Sequence, residues 1–331
     1  MNLLVSLIAI LILILILIAL GGTAIAGLKP VFFVVIPCGA FAVFVAGFVY
    51  RILSWGRLPV PFSIPTTCGQ EKSLPWIKYE SLESPSGTAG VVGRMALEVL
   101  LFRSLFRNTR LYLYDERPVY SSTKWLWFFA LLFHWSLLFI ILRHMRFFIE
   151  PVGPLINGLA AIDGFFETAV PTFFLSDGAI VLALSFLFLR RVVVPQLRYI
   201  SLFTDYFAVA LILGVAITGI LMRNFFPVDI EEVKTMALGW VTFAPYVPKG
   251  MSILFYIHLL FVSVLLAWFP FSKLMHMGGV FLSPTRNMAT DSRMRRHINP
   301  WNASVKVHTY EEYEDEYRDK MKAAGLPVDK E

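Results

Sequence analysis

Apolar runs of membrane length constrain this chain more than any other feature of its sequence. Six runs each approach the roughly 20 residues that an α-helix needs to cross the hydrocarbon of a bilayer. They cover residues 3–26, 31–50, 125–142, 178–194, 206–222 and 250–272. Hydrophobic residues make up 57% of the 331-residue chain, a composition typical of an integral membrane protein. The sequence therefore predicts an all-α membrane protein built as a six-helix transmembrane bundle.

The first and fourth runs are less certain spans than the other four. The first run has a second interpretation as a signal peptide, because Ala24, Ile25 and Ala26 resemble a cleavage site. No Lys or Arg precedes it, and it is longer than the apolar region of a signal peptide, so we expect a retained helix. The fourth run is the weakest, because Arg190 and Arg191 must extend from its end toward water.

Lys and Arg are unevenly distributed among the connections. Alternating runs place residues 51–124, 190–198 and the C-terminal tail on one side, which holds most of these cations. The richer side is expected to be cytoplasmic, which puts both termini in the cytoplasm and the chain in the cell (inner) membrane. The net charge of +6 follows from this asymmetry and does not indicate nucleic acid binding. The predicted divisions are an extra N-terminal helix (1–27), a second helix (28–54), a cytoplasmic loop with an interfacial helix (55–122), helices three to six (123–277) and a cytoplasmic tail (278–331).

Four of the six histidines lie in two hydrophobic stretches that extend the third and sixth runs. His134 and His144 lie in residues 125–148, and His258 and His276 lie in residues 250–277. Ionisable side chains within a membrane are costly and usually functional. If the two helices run antiparallel, His134 pairs with His276 and His144 pairs with His258. We call these the inner pair and the outer pair.

The spacings within the two helices differ. Ten residues separate His134 from His144, and 18 separate His258 from His276, which correspond to rises of about 15 and about 27 Å in straight helices. Both pairs therefore cannot be level if both helices are straight. Pro270 lies between the second two histidines and is expected to bend or end that helix, because proline removes an intrahelical hydrogen bond.

Two imidazoles facing each other are a ligand set for haem iron. A single membrane histidine more often serves helix packing or proton relay, but four in two helices are difficult to explain as packing. Structural zinc is disfavoured because it prefers clustered or thiolate-rich ligands. Cys38 and Cys68 cannot by themselves hold an iron–sulfur cluster, which needs about four thiolates. We therefore expect two haem b groups in this chain and any iron–sulfur cluster in a partner.

Charged residues near the predicted outer pair are candidates for further roles. Arg143 and Arg146 flank His144 and are expected to bind haem propionates. A quinol must lose two protons when it is oxidised, so Asp163 and Glu167 in the outer loop and Lys249 before the sixth helix are quinone-site candidates. Taken singly, each of these residues is better explained as an ordinary interfacial residue.

The cytoplasmic segments contain two further predicted helices. Residues 92–108 have apolar residues at helical spacing with Arg94, Arg103 and Arg107 among them. This pattern is typical of a helix on the membrane surface, or alternatively of a docking platform for a cytoplasmic subunit. The mixed charges of the tail, including residues 308–331, are compatible with a short solvated helix.

The order and spacing of the histidines resemble those of a known family. A pair ten residues apart followed by a pair 18 apart on the last helix is similar to the gamma subunit of respiratory nitrate reductase, a di-haem cytochrome b. The resemblance covers residues 31–277 and implies haem ligation by the inner and outer pairs. It also implies a five-helix haem core, to which this chain adds one N-terminal helix.

Other motifs resemble a narrower group within that family. The added first helix, PTTCGQEKSLPW at 65–76 and NPWN at 299–302 are similar to the cytochrome b subunit of the Dsr sulfite-reduction complex, also described as Hdr-like menaquinol oxidoreductase. This resemblance covers nearly the whole chain. It implies exchange of menaquinone and a cytoplasmic iron–sulfur partner similar to heterodisulfide reductase. It also implies further membrane and cytochrome c subunits.

Two other function classes compete with this electron-transfer interpretation. A transporter or proton channel with histidine relays predicts no haem absorbance, and internal repeats or matching broken helices in two halves of the chain. A purely structural membrane anchor predicts that all four histidines can be replaced without loss of electron transfer.

Overall fold

The computed structural model describes residues 2–21, 25–59, 69–165, 174–294 and 307–330. Some features predicted from the sequence lie outside these residues. They are Glu167, Cys68, the NPWN motif at 299–302 and the first part of the motif at 65–76. The helices of the apolar segments and of their shorter connections are α1 (Asn2–Gly21), α2 (Ile25–Pro30), α3 (Ile36–Gly56), α6 (Lys124–His144), α7 (Pro154–Phe165), α8 (Leu175–Val193), α9 (Pro195–Ile200), α10 (Phe203–Asn224), α11 (Ile230–Val241) and α12 (Ile253–Trp268). The remaining elements are α4 (Thr88–Leu101), α5 (Arg103–Arg107), β1 (Thr109–Tyr114), β2 (Arg117–Ser122), α13 (His276–Gly279) and α14 (Tyr310–Ala323).

Four helical segments are long and apolar enough to cross a membrane. They are Gly27–Gly56, Lys124–Phe147, Phe203–Asn224 and Ile253–Phe271. The first of these combines α2, a π-helical turn at Val31–Val35 and α3. The described apolar part of α1 is shorter, and α8 carries three charged residues, Asp177, Arg190 and Arg191. The structure therefore supports a helical protein with four membrane spans, and the count of six stays a prediction.

The long helices contact one another in a row. Helix α6 packs on α8, α8 on α10, α10 on α12, and α12 on α3, while α1 lies against α10 and α12. Asn2 fixes the start of α1 by donating from Nδ2 to the Ser201 carbonyl at 3.0 Å, and Ser6 Oγ lies 3.0 Å from the Phe203 carbonyl. Helices α6 and α12, which carry three of the four histidines, lie at separate positions in this row.

Small residues on α10 allow α12 to approach it closely. A Cβ atom added to Gly214 would lie 2.8 Å from Cε2 of Phe261, a distance that no side chain tolerates. Phe261 is buried with Leu211 and Phe207, and α1 residues pack against this cluster. Helix contact in this region thus explains the glycines of α10, as small residues at helix interfaces usually do.

The last membrane helix ends before it reaches His276. Helix α12 stops at Trp268, and two 3₁₀ turns, Phe269–Phe271 and Lys273–Met275, connect it to the short helix α13, in which His276 is the first residue. A straight helix carrying both His258 and His276 is therefore wrong. The effect expected of Pro270 is confirmed, because Pro270 lies in the first of these turns.

The structure also contains elements that the sequence did not predict. Helix α7 lies within the outer loop, and β1 and β2 form an antiparallel hairpin that pairs Tyr114 with Arg117. Asp115 and Glu116 both have positive φ, 48° and 62°, the conformation of a two-residue hairpin turn. Helix α14 confirms the helix predicted for the tail, whereas the single helix predicted for residues 92–108 is interrupted at Phe102, between α4 and α5.

Buried Arg94 joins the loop between α3 and α4 to the segment that follows α13. Its guanidinium donates to the carbonyls of Glu83, Arg286 and Met288 at 2.8–3.2 Å. Burial, with a smaller contribution from Arg286, lowers the pKa of Arg94 from its ordinary value. Arg94 therefore does not lie on a solvated or lipid-facing side of α4, as a simple surface helix would require.

Candidate cofactor site

The inner pair is brought together from two different elements. His134 lies in the middle of α6 and His276 begins α13, and their ring centroids are 5.9 Å apart with the ring planes at 77°. An iron atom bound at about 2 Å by one nitrogen of each ring places the centroids roughly 6 Å apart. The donor type and the separation therefore fit a metal held between two imidazoles.

The outer pair is formed by residues on long helices. His144 ends α6, and His258 lies in the first half of α12. The two imidazoles are close enough to interact electrostatically. The pairing is thus crosswise along antiparallel chain segments, with the inner pair at the middle of α6 and the outer pair at its end.

All four imidazoles are oriented in the same way by their Nδ1 atoms. His134, His144 and His276 each donate from Nδ1 to a backbone carbonyl at 2.7 Å, those of Ala130, Ile140 and Lys273 respectively. A carbonyl can only accept, so the proton is on Nδ1 and the lone pair is on Nε2. Among the described residues, no hydrogen bond reaches these Nε2 atoms. This tautomer, with Nδ1–H bonded to an oxygen, is the one that histidine ligands of metals adopt.

His258 reaches the same tautomer through a side chain of a neighbouring helix. Thr218 Oγ1 lies 2.8 Å from the carbonyl of Gly214, to which its hydroxyl can donate, and 2.9 Å from Nδ1 of His258. The hydroxyl oxygen therefore accepts the Nδ1 proton. Gly219 lies beside the ring, and a Cβ atom there would touch Cε1 of His258 at 3.4 Å, the distance of an ordinary contact. Helix α10 carries no histidine but orients one.

An ion pair supports the carbonyl that orients His276. Lys273 Nζ lies 2.7 Å from Oδ1 of Asp205, a buried carboxylate whose other oxygen accepts from the Leu202 amide at the start of α10. The carbonyl of the same Lys273 accepts from Nδ1 of His276. The short segment after α12 is thus attached to the regular structure of α10 three residues before the histidine.

Phe102 contacts the inner pair from the cytoplasmic loop. Its ring lies edge-on to the imidazole of His134 at a centroid distance of 4.9 Å. Phe102 has φ of 51°, a left-handed conformation that a bulky residue rarely adopts and that costs about 1–3 kcal/mol. The residue separates α4 from α5, where glycine is the usual choice. The carbonyls of Leu100 and Leu101 just before it accept from the indoles of α6, Trp135 at 3.1 Å and Trp127 at 2.7 Å.

Arg143 is engaged by protein carboxylates rather than being free for a propionate. Its guanidinium lies 2.9 Å from Asp163 Oδ2 and 3.0 Å from Asp177 Oδ1, and all three side chains are buried. Asp163 also accepts from the amide and hydroxyl of Ser176 at 3.0 and 2.6 Å. Two of the predicted candidates, Arg143 and Asp163, are therefore partners of each other, and together with Asp177 they join the ends of α6, α7 and α8.

The positions of the remaining candidates, Arg146 and Lys249, say less about their roles. Arg146 lies over the ring of Phe147 at 4.9 Å and is exposed, so it stays available to bind an anionic group. The backbone amide of Lys249 donates to Glu232, while its side chain is exposed. Within the described part of the chain, no cluster of three or more His, Cys, Asp or Glu side chains is arranged to hold a metal ion.

Comparison with known proteins assigns the family. Residues 114–297 match the family described as nitrate reductase gamma subunit, a region that contains all four histidines. The chain belongs to this family. It is 46% identical over 278 residues to a protein of Archaeoglobus fulgidus named Hdr-like menaquinol oxidoreductase cytochrome b-like subunit, covering 82% of this chain and 83% of that one. A protein of the same name from Archaeoglobus profundus is 41% identical over 282 residues, covering 83% and 84% of the two chains.

These relatives confirm both resemblances drawn from the sequence. The gamma-subunit family and the narrower Hdr-like group are the two to which the histidine spacing and the loop motifs pointed. The chain thus belongs to the group whose members are named Hdr-like menaquinol oxidoreductase cytochrome b-like subunit.

Sequence reasoning did not find Thr218, Lys273 or Phe102 as residues that orient the histidines. Thr218 could be suspected from its place beside Gly219, where α10 must approach another helix. Lys273 contributes through its backbone carbonyl, and Phe102 through a conformation that its side chain does not favour. Neither contribution leaves a recognisable sequence pattern.

Proposed function

We propose that this chain binds two haem b groups and transfers electrons between menaquinol or menaquinone and a cytoplasmic iron–sulfur partner. The complex would serve sulfite-reduction-linked respiration in the cell (inner) membrane, with both termini of this chain in the cytoplasm. The observation that carries the proposal is the pair of crosswise imidazole sites, each with Nδ1 bonded to oxygen and Nε2 unbonded. The names of the two Archaeoglobus relatives support the menaquinol assignment.

The chain's own residues would hold and orient these cofactors. His134 and His276 would bind the inner haem iron, and His144 and His258 the outer one. Bound haem supplies reversible one-electron transfer at its iron, with a potential tuned by its ligands and surroundings. The hydrogen bonds to Nδ1 raise the basicity of each ligand and fix its ring orientation. Arg146 is the better remaining candidate for a propionate, because Arg143 already has two carboxylate partners.

A menaquinol site would lie near the outer pair. A quinol hydroxyl needs a proton acceptor within hydrogen-bonding reach. Asp163 accepts from Ser176 and is paired with Arg143, which disfavours it as that acceptor. Glu167 and Lys249 remain the candidates from the sequence, with Glu167 as the proton acceptor and Lys249 as a hydrogen-bond donor to the quinone oxygen.

The partner subunit would approach the side of the inner pair. The loop held by Arg94 and the segment after α13 form a folded surface there, next to Phe102 and His134. In this proposal the helical region predicted for residues 92–108 serves as a docking platform for the partner. Further membrane and cytochrome c subunits would complete the complex.

A proton channel is disfavoured by the same hydrogen bonds. A histidine relay passes protons through both ring nitrogens, whereas three of the four Nδ1 atoms donate to backbone carbonyls. A carbonyl cannot accept and release a proton at neutral pH, so these rings make poor relay stations.

The proposal is tested by the haem content of the purified chain. Reduced pyridine haemochrome spectra are expected to give about two b haems per polypeptide, and His144→Ala and His276→Ala are each expected to remove one. Glu312→Gln in the tail is a control that should leave haem content unchanged. A folded, intact preparation without haem would overturn the proposal and favour the transporter interpretation.

A further inference from the structure

A cleft outside both histidine pairs lies at the beginning of α6. It has a volume of about 90 Å³. Its polar side is formed by Arg110, Ser122 and Arg190, and its apolar side by Trp125, Leu126 and Phe186. A buried water needs roughly 10–15 Å³ of such space, so the cleft accommodates a group of several heavy atoms. Hairpin, α6 and α8 residues thus converge on one small site.

The two arginines in this cleft have no acidic partner in the described part of the chain. Other arginines on the same side do: Arg103 and Arg107 pair with Glu83, and Arg191 lies 4.0 Å from Asp205. Two guanidinium groups facing one cleft repel each other unless an anion lies between them. The planar fork of a guanidinium matches the oxygens of a phosphate or carboxylate.

The position of the cleft relative to the membrane identifies the source of the anion. Lys124 begins the membrane span that continues to Phe147, and Trp125 is 73% exposed. Tryptophan at the end of a span is typical of the interface between lipid and water. Arg190, near the end of α8, lies on the cation-rich side, where anionic lipids attract basic residues. An apolar wall beside two arginines is therefore arranged as a lipid headgroup and its first methylenes would require.

We propose that this cleft binds the phosphate of an anionic phospholipid. Arg110 and Arg190 contact the phosphate oxygens, and the Ser122 hydroxyl is available to donate a further hydrogen bond. Trp125 and Phe186 contact the glycerol and the upper acyl chain. The bound lipid links the β1–β2 hairpin, otherwise an isolated two-stranded sheet, to the membrane helices α6 and α8.

The test measures lipid binding by the full-length chain reconstituted in phosphatidylcholine nanodiscs. Thermal unfolding is followed while phosphatidylglycerol is added to the bilayer, and lipids that copurify from detergent are identified by native mass spectrometry. Phosphatidylglycerol is expected to raise Tm. The double variant R110Q/R190Q is expected to bind it roughly thirtyfold more weakly, the loss typical of two basic side chains at an anionic surface.

A matched control separates this site from general attraction to an anionic bilayer. R117Q/R198Q removes the same charge from exposed arginines of β2 and α9 that do not line the cleft. It should keep most of the lipid effect, and R110K/R190K should bind with intermediate affinity if the glutamine variant does not fold. Equal losses in the two glutamine variants would overturn the proposal. Stabilisation by inorganic phosphate equal to that by phosphatidylglycerol would also overturn it and would identify a site for a soluble anion.

Discussion

The inner and outer pairs present the same imidazole chemistry on two different kinds of local structure. His144 and His258 lie on long helices, and His258 is oriented by Thr218 of the neighbouring helix. His276 lies beyond the end of α12 in a four-residue helix, and its ring depends on Lys273, which is anchored by Asp205. Phe102 adds a strained contact from the loop to the same pair. Both histidines of the outer pair lie on long helices, whereas the inner pair combines one long helix with a short helix that follows a break in the chain.

This difference has a functional consequence under the proposed function. A site on regular helices keeps its geometry when the surrounding loops change. A site assembled from a broken helix and a loop responds to whatever binds that loop, which at the inner pair would be the cytoplasmic partner. The predictions below test this contrast between the two pairs.

The largest expected effect comes from removing two ligands at once. The variant H134A/H276A removes both inner ligands and should retain one b haem per polypeptide. The variant H134A/H258A removes one ligand from each pair and should retain none. Pyridine haemochrome spectra measure the difference, and one haem in each double variant would contradict the crosswise pairing.

The next effect is specific to the outer pair. Thr218→Val keeps the shape of the side chain but cannot accept the Nδ1 proton of His258. Loss of a partner that orients a metal-bound histidine lowers metal affinity by about 10–100-fold, and we expect a value near the lower end for the outer haem. Haem titration with separate inner and outer EPR signals is the measurement. Thr218→Ser should restore normal binding, and an effect on the inner signal alone would refute the assignment.

A smaller effect is expected from Lys273→Met at the inner pair. The carbonyl that accepts from His276 remains, but the ion pair that holds its segment against α10 is lost. Inner haem affinity should fall by less than about tenfold, because the change acts indirectly. Lys273→Arg should rescue the inner EPR signal. Lys234→Met is the matched control, since Lys234 pairs with Glu150 away from this segment, and an equal effect of both changes would show that Lys273 has no positional role.

The sequence allowed much of the fold to be predicted because membrane helices and histidine spacing are strong local signals. The four confirmed spans, the end of α12 near Pro270 and the helices of the loop and tail all follow from apolar periodicity and proline chemistry. The crosswise approach of His134 and His276 followed from helix direction alone.

The rest depended on contacts between residues far apart in the sequence. Arg94 looked like a surface charge on an amphipathic helix, and only the folded chain brings carbonyls at 286 and 288 to it. Arg143 and Asp163 were assigned separately to a propionate and a quinone, although they form an ion pair with each other. Pairing of charges in a membrane protein can be decided only when the neighbouring helices are known.

Arg94→Met should separate the loop from the segment after α13. Three carbonyls lose a charged donor, a change expected to weaken this contact by about 2–3 kcal/mol. Hydrogen exchange should increase at residues 83–94 and 286–290, with only a slight loss of inner haem and none of outer haem. Arg286→Met removes a more exposed guanidinium and should change hydrogen exchange less. Unchanged exchange in Arg94→Met would contradict the role of Arg94 in joining the loop to the segment after α13.

The smallest effect on the two pairs is expected from mild acid, because the acid-sensitive group lies in the tail. Glu314 accepts from the backbone amides of Asp329 and Lys330 at 2.8 and 2.9 Å, and these bonds hold the pKa of Glu314 below its ordinary value of 4.5. The unfolded tail therefore binds a proton at higher pH than the folded tail does. The stabilisation is complete above that ordinary value and is lost as the pH falls through the lower pKa of the folded state.

Hydrogen exchange of α14 against pH tests this last expectation in the full-length chain. Exchange of α14 should increase on acidification, while haem spectra of both pairs stay constant over the same range. Glu314→Gln should remove the pH dependence of α14. If the inner haem signal instead changed together with the exchange of α14, the tail would contribute to the inner site. The tail would then have to be counted among the contacts that distinguish the inner pair from the outer pair.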